Sequence, residues 1–218
     1  DTYIVYMSPS KSSGFNTCSM ASKGCISGCL DTSGRVKMDI KNTILISRLM
    51  KTWLFYGNRE IFNKWLFAEI QSAKIKSEKL GHNFSARING TTDLSPLLFI
   101  NEGKNILEAF PTVQFYDYSK VFNRLEGLKK YSNYHITFSY SETNGDEVKE
   151  ALNLGYNVAV PFMSGLPKTF LGHEVGDADE TDLRFLDTKR IAGLKVKLIR
   201  DKVKMQYAIT QGFIVDAT

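Results

Sequence analysis

The hydrophobic pattern of the chain changes period along its length. Tyr3, Ile4, Val5, Tyr6 and Met7 form a β-branched and aromatic run closed by Ser8-Pro9-Ser10, which predicts a first strand over 3–7 that ends in a loop. From Ser8 to about Arg35 the sequence is rich in Ser, Gly, Asn and Thr and shows no apolar period. A loop of that length inside a compact domain usually has a function or a ligand that orders it. Two helical periods follow. Ile44, Leu45, Leu49, Trp53 and Leu54 set one apolar face on a helix over 40–55, broken at Gly57-Asn58. Phe62, Trp65, Leu66, Ile70 and Ala73 set another over 59–80, with Asn58 as N-cap and Gly81 just past its end.

Beyond residue 84 strand-like and helix-like stretches alternate: 84–89 then 103–109, 113–118 then 119–126, and 134–140 then 146–154. Asp146 can cap the last helix, Val148, Ala151 and Leu152 form its stripe, and Gly155 stops it before a strand over 157–162. Two more strand-like runs, 183–186 and 192–198, follow a looser stretch at 172–182 rich in Gly and Asp. Repeated β-then-α units with short connections argue for parallel strands joined by helical crossovers. No G-x-G-x-x-G or G-x-x-x-x-G-K-[ST] follows the first strand, which lowers the case for dinucleotide binding or nucleotide hydrolysis. The expected fold is one α/β domain over 1–218: an open or partial (β/α) barrel of mostly parallel strands, with a metal- or cluster-binding loop at 8–35, a helical pair at 40–80 and β/α repeats at 84–198.

Composition supports an ordered globular chain. At 218 residues and 43% hydrophobic content, a core can form without disulfides or metal. No apolar run reaches the ~20 residues of a membrane helix, and the opening is not a basic-then-apolar signal, so the expectation is a cytoplasmic protein. The net charge of +5 favours an anionic partner such as a nucleotide or nucleic acid, although the lysines at 74–79 and 195–204 also read as plain solvated faces.

The chemistry concentrates in the three cysteines. Cys18, Cys25 and Cys29 are spaced C-x6-C-x3-C within the long loop. A disulfide would leave one thiol over, and three inert cysteines would pack as small apolar residues. Metal ligation is the reading that clustering favours, with Gly24 and Gly28 letting the backbone wrap closely round a centre. Structural zinc needs a fourth ligand, from His82, His135, His173 or a carboxylate, and none is adjacent in sequence. A [4Fe–4S] cluster on three thiolates instead leaves one iron open to a small molecule, so the count of three leans toward iron–sulfur, with zinc the alternative.

Other candidates lie at strand ends, where β/α barrels bind ligands. After the second strand come Asn89, Gly90, Thr91 and Asp93; after the third, Asp117, Tyr118 and Lys120; after the fourth, Ser139, Ser141 and Glu142. Each set reads either as a ligand-binding edge or as loop and helix capping. Asp117, Tyr118 and Lys120 suit a ribose, phosphate or other polar substrate. Arg184, inside an apolar run, needs an anionic partner in Asp182, Asp187 or a substrate. His173 with Glu174, Asp177 and Asp179 reads as a hard-metal site or an acidic surface turn. A metal-dependent nuclease would need Asp93, Asp117 and Glu142 to converge.

A three-cysteine loop directly after strand one of a β/α-repeat domain resembles the radical S-adenosylmethionine enzymes. That resemblance implies a [4Fe–4S] cluster on Cys18, Cys25 and Cys29 and S-adenosylmethionine held by Asn89, Gly90, Thr91, Asp93, Ser139 and Glu142. The spacing departs from that family's C-x3-C-x2-C, and Gly28 stands where the family has an aromatic residue. The segments 16–29, 87–93, 113–120 and 180–187 are also similar to a bacteriophage family known as the gene product eighty-eight family, which implies a viral source and the host cytoplasm. Two functional expectations follow: an iron–sulfur enzyme modifying a nucleotide or nucleic acid during infection, or a non-catalytic, metal-ordered nucleic-acid-binding protein.

Overall fold

A computed structural model describes residues 1–29, 31, 35–196 and 201–217. Along the chain its elements are β1 (Thr2–Ile4), α1 (Lys23–Ser27), α2 (Arg35–Met38), α3 (Thr43–Gly57), α4 (Arg59–Lys79), β2 (Ser85–Arg87), β3 (Ile100–Asn101), β4 (Lys104–Asn105), α5 (Ile106–Ala109), β5 (Gln114–Ser119), α6 (Arg124–Gly127), β6 (Tyr134–Ser139), α7 (Gly145–Asn153), β7 (Val158–Phe162), β8 (Thr169–Phe170), β9 (His173–Asp177), β10 (Ile191–Lys195) and α8 (Lys202–Thr210). These fall into two compact units, one of Asp1–Cys18, Asn42–Asp117 and Leu128–His135, the other of Ser19–Lys41, Tyr118–Gly127 and Ile136–Thr218.

In the first unit the strand order is β1-β2-β5, with both pairings parallel and Ile4 opposite Arg87. Val5, Met7, Ala86, Ile88 and Phe115 are buried along these strands. Helix α4 starts where Asn58 accepts the Ile61 amide, ends before Gly81 in the left-handed region, and buries Phe62, Leu66, Phe67 and Ile70. Phe55 of α3 meets Phe62 edge-on at 5.3 Å. The Asn63 amide donates to the carbonyls of Leu98 and Ile100, tying α4 to the β3–β4 hairpin.

The second unit has the order β6-β7-β10-β9-β8, parallel except for the closing β8–β9 hairpin. Parallel neighbours need crossovers, and α7 supplies one between β6 and β7, burying Val148, Ala151 and Leu152. Gly193 in β10 has no room for a Cβ, which would stand 2.6 Å from Val175 and 2.7 Å from Leu166. Helix α8 buries Met205 and Ala208 beside Ile214, and Val215 bridges to Phe162 of β7.

The chain is therefore mixed α/β with mostly parallel strands, as the alternation predicts; β1 is an end strand in the first unit and β8 in the second. No helix among the described residues is long and apolar enough to cross a membrane.

Several local expectations are corrected. Within the 8–35 segment lie α1 and a turn at 9–14, and α2 begins at its end, at Arg35. The run 183–186 is a single 3-10 turn over Arg184–Leu186, because the Arg184 side chain folds back onto the carbonyls of Ala178 and Thr181. The helix expected at 103–109 starts only at Ile106, after a hairpin whose Glu102 and Gly103 take positive φ; the one at 119–126 shrinks to Arg124–Gly127. On α3 the buried stripe is Arg48, Thr52 and Phe55, which leaves Trp53 and Leu54 exposed. Asn144, not Asp146, stands at the N-cap of α7. Residues 197 and 198 of the expected last strand, Lys197 among the clustered lysines, and 30 and 32–34 of the expected loop lie outside the described residues.

Candidate functional site

Two clusters of the expected residues form, one in each unit. In the first, the chain leaves β1 and β2 at their carboxyl ends and the two exits are stitched together. The Gly90 amide donates to the Val5 carbonyl at 2.8 Å, the Thr91 hydroxyl to the Met7 carbonyl at 2.6 Å, and the Asp93 amide to the Thr17 carbonyl at 2.9 Å. A Cβ on Gly90 would stand 2.6 Å from the Tyr6 ring and 2.8 Å from the Val5 carbonyl oxygen, so this exit requires glycine. Thr17, buried beside Cys18, donates to the Ser8 carbonyl at 2.7 Å. Cys18 Sγ accepts the Ser10 amide at 3.3 Å and lies 3.9 Å from the Thr91 carbonyl oxygen. The cysteine thiol and the loop after β2 thus meet at one strand edge.

Behind that edge stands Asp117, fully buried. Its carboxylate accepts the Asn89 amide at 2.9 Å, the Asn89 side-chain amide at 3.0 Å and the Tyr134 hydroxyl at 3.2 Å. Burial pushes its pKa up to about 7, against the opposing pull of Arg87 and these donors. Asn89 Oδ1 in turn accepts the Leu94 amide and the Thr92 hydroxyl. Asn89 and Asp117, expected at a ligand edge, form the buried brace of the 89–94 loop.

In the second unit Cys25 rides on α1 and Cys29 follows its C-cap, Gly28. Ser22 caps the helix by accepting the Cys25 amide at 3.1 Å and donates its own proton to Glu142 Oε2 at 2.7 Å, while Glu142 Oε1 accepts the Gly24 amide at 2.7 Å. Glu142, three residues beyond β6, therefore clamps the start of the cysteine helix with two charge-assisted bonds. Gly24 and Gly28 serve packing: a Cβ on Gly24 would lie 2.5 Å from Phe213 Cβ, and one on Gly28 3.1 Å from the Phe213 ring. Lys120 Nζ sits 5.7 Å from the centre of that ring. The Tyr140 hydroxyl donates to the Gly212 carbonyl at 3.1 Å.

The remaining candidates have structural surroundings. Tyr118 packs against Ala159, Ala178 and Ala192, and Ser139 gives its carbonyl to Asn144. Arg184 is fully buried and pairs with Asp187 at 3.3 Å, the partner its sequence context asks for. In the acidic turn near His173, Lys195 pairs with Asp177, and its amide donates to Asp179. Ser22, Thr17 and Phe213 carry much of the two clusters and were not expected. Only Thr17, next to Cys18, had a signal in its position.

None of the three cysteines is in a disulfide and all are partly buried; Cys18 belongs to the first unit, Cys25 and Cys29 to the second. Thiols are suitable donors for iron or zinc. Among the described residues no three His, Cys, Asp or Glu side chains are grouped to hold a metal ion, which applies equally to Asp93, Asp117 and Glu142.

No curated protein and no solved structure matches the chain. The Gene product 88 family matches residues 2–217, almost the whole length, and so covers both clusters. The chain belongs to the Gene product 88 family.

Proposed function

We propose that the chain is a phage-encoded iron–sulfur protein resembling the radical S-adenosylmethionine enzymes, with a partial-barrel fold, acting on a nucleotide or nucleic acid. Cys18, Cys25 and Cys29 would hold the cluster, which when bound supplies a single-electron reductant. Gly90, Thr91 and Asp93 would face S-adenosylmethionine, with Asn89 and Asp117 bracing them, and Lys120 would meet an anionic substrate group.

The observation that carries this reading is the anchoring of the Cys18 thiol and of the backbone at Cys25. Cys18 Sγ meets the exits of β1 and β2 through the Ser10 amide and the Thr91 carbonyl, and the Cys25 amide is held by Ser22, which donates to Glu142 beyond β6. The Cys18–Thr91 contact and the Ser22–Glu142 bond span 73 and 120 residues and fix the backbone beside two of the thiols. No three ligands are grouped among the described residues, and the donor chemistry of the thiols supports the reading beside their anchoring.

Anaerobic purification with iron and sulfide assay and a visible spectrum tests it. The expected product is brown, carries iron and sulfide, and loses both in Cys25→Ala; added S-adenosylmethionine should perturb the EPR signal of the reduced cluster. A colourless protein with stoichiometric zinc overturns the reading in favour of a metal-ordered nucleic-acid-binding protein, which the net charge of +5 suits.

A further inference from the structure

The first unit carries a surface whose chemistry the two clusters do not use. It is built from the 8–18 loop and α3, and the sequence of both parts is one-sided in charge: residues 2–18 and 42–58 contain the exposed Lys11, the partly buried Lys51 and Arg48, buried over the Tyr6 ring, and no Asp or Glu. On this surface two aromatic rings are exposed, Phe15 at 40% and Trp53 at 48%. Each is held in place. Tyr56 lies flat against one face of Phe15, with ring centres 4.3 Å apart and planes 3° from parallel, and its hydroxyl donates to the Asn16 carbonyl at 3.0 Å. The Trp53 indole donates to the Ser13 carbonyl at 3.0 Å, so the loop that bears Phe15 is pinned to the helix that bears Trp53. Turns at Pro9–Ser12 and Lys11–Gly14 stiffen the same loop.

We propose that Phe15 and Trp53 form a base-stacking platform for single-stranded nucleic acid, with Lys11 and Arg59 contacting its phosphates. Stacking on exposed aromatic rings beside cationic side chains is how proteins take single strands without reading sequence. Arg59 is exposed, acts electrostatically on Tyr56 beneath the Phe15 stack and lies 4.5 Å over the Phe55 ring. A protein partner would be served by the apolar side chains of α3 alone. Every charged side chain of the two segments is cationic, with Glu69 of α4 the carboxylate that acts on Lys51, and that cationic excess favours a polyanion. Rings fixed before binding lose little entropy on contact. The platform borders Cys18, whose amide donates to Asn16 Oδ1 at 3.1 Å, so a strand seated there lies beside the first thiol. The proposal rests on the nucleic-acid part of the function above and is independent of the metal.

Fluorescence anisotropy of the full chain with a labelled oligothymidylate of about 15 nucleotides, long enough for a single-strand site, tests it against a duplex of equal length. The expected result is binding that prefers the single strand and falls with salt. Phe15→Ala and Trp53→Ala should each weaken it roughly 5- to 150-fold, the range for one lost base stack, while Trp53→Phe retains most of it. Lys11→Ala should lower the salt slope by about 0.7. Circular dichroism melts confirm that each variant folds. In a Trp65→Phe background, quenching of Trp53 reports contact directly, so the platform stays testable even where an alanine variant unfolds. No binding at low salt, equal binding by the folded alanine variants, preference for duplex, or self-association through α3 that Met50→Asp abolishes each overturns the proposal. Iron with no oligonucleotide binding sinks the platform alone; Phe15-dependent binding without iron sinks the iron–sulfur reading alone.

Discussion

Asp117 is held in surroundings that oppose its charge, because burial outweighs Arg87, Asn89 and Tyr134 and raises its pKa from 3.8 to about 7. A carboxyl that binds its proton more tightly folded than unfolded contributes stability at low pH and loses it as pH rises through the window from about 4 to about 7. Over that window the wild type should lose stability relative to Asp117→Asn, by an amount on the order of a few kcal/mol. Urea denaturation of both proteins from acid to neutral pH measures this difference; parallel curves would show that Asp117 is not titrating. Next to Asn89 in the loop that Asp117 braces, Gly90→Ala forces a Cβ against the Tyr6 ring and the Val5 carbonyl, neither of which has a flexible end to move. It should cost about 1–3 kcal/mol, the usual penalty for overpacking, read as a lower urea midpoint with an unchanged slope.

At the scale of elements, the placement of α1 depends on Gly24. Its missing side chain is what allows Phe213 and Glu142 to close on the helix, and Gly24→Ala would set a methyl group 2.7 Å from Glu142 Oε1. The expected result is a loosened helix, with faster amide exchange at Cys25 and Ile26 and faster alkylation of Cys25. Gly28→Ala, whose nearest neighbour is a ring edge at 3.1 Å, should do less. This packing was not legible in the sequence, where Gly24 and Gly28 read as glycines wrapping a centre: the partners Phe213 and Glu142 lie more than a hundred residues away. Elements with local signals were legible. Helix α4 has Asn58 at its start, Gly81 past its end and a regular stripe between, and it matches its expected span within one residue. Helix α7 is similar, stopped by Gly155 at positive φ. The failures lie where tertiary contacts outweigh local pattern. Arg184 turns an apolar run into a 3-10 turn by taking two carbonyls and Asp187, and on α3 the buried stripe runs through Arg48 and Thr52, so apolar residues count toward the wrong face.

Across the whole molecule, the candidate chemistry is a count of thiols. The chain has three cysteines, none in a disulfide and none fully buried. Reduced, metal-free protein should therefore consume three equivalents of a thiol reagent without denaturant, and the kinetics should reflect local anchoring. Cys18, whose sulfur accepts the Ser10 amide, should react differently from Cys25, whose amide rather than sulfur is held by Ser22. Loading with iron and sulfide, or with zinc, then distinguishes the arrangements by subtraction. Protection of all three thiols is the outcome for one centre on Cys18, Cys25 and Cys29. Protection of two, with Cys18 still reactive, would assign the centre to Cys25 and Cys29 with ligands from elsewhere in the chain. Unchanged reactivity of all three would leave the cysteines as packing residues and remove the metal from the function. Peptide mapping of the alkylated sites identifies which thiol is which, and because it reads occupancy, its result holds whether or not a substrate has been found.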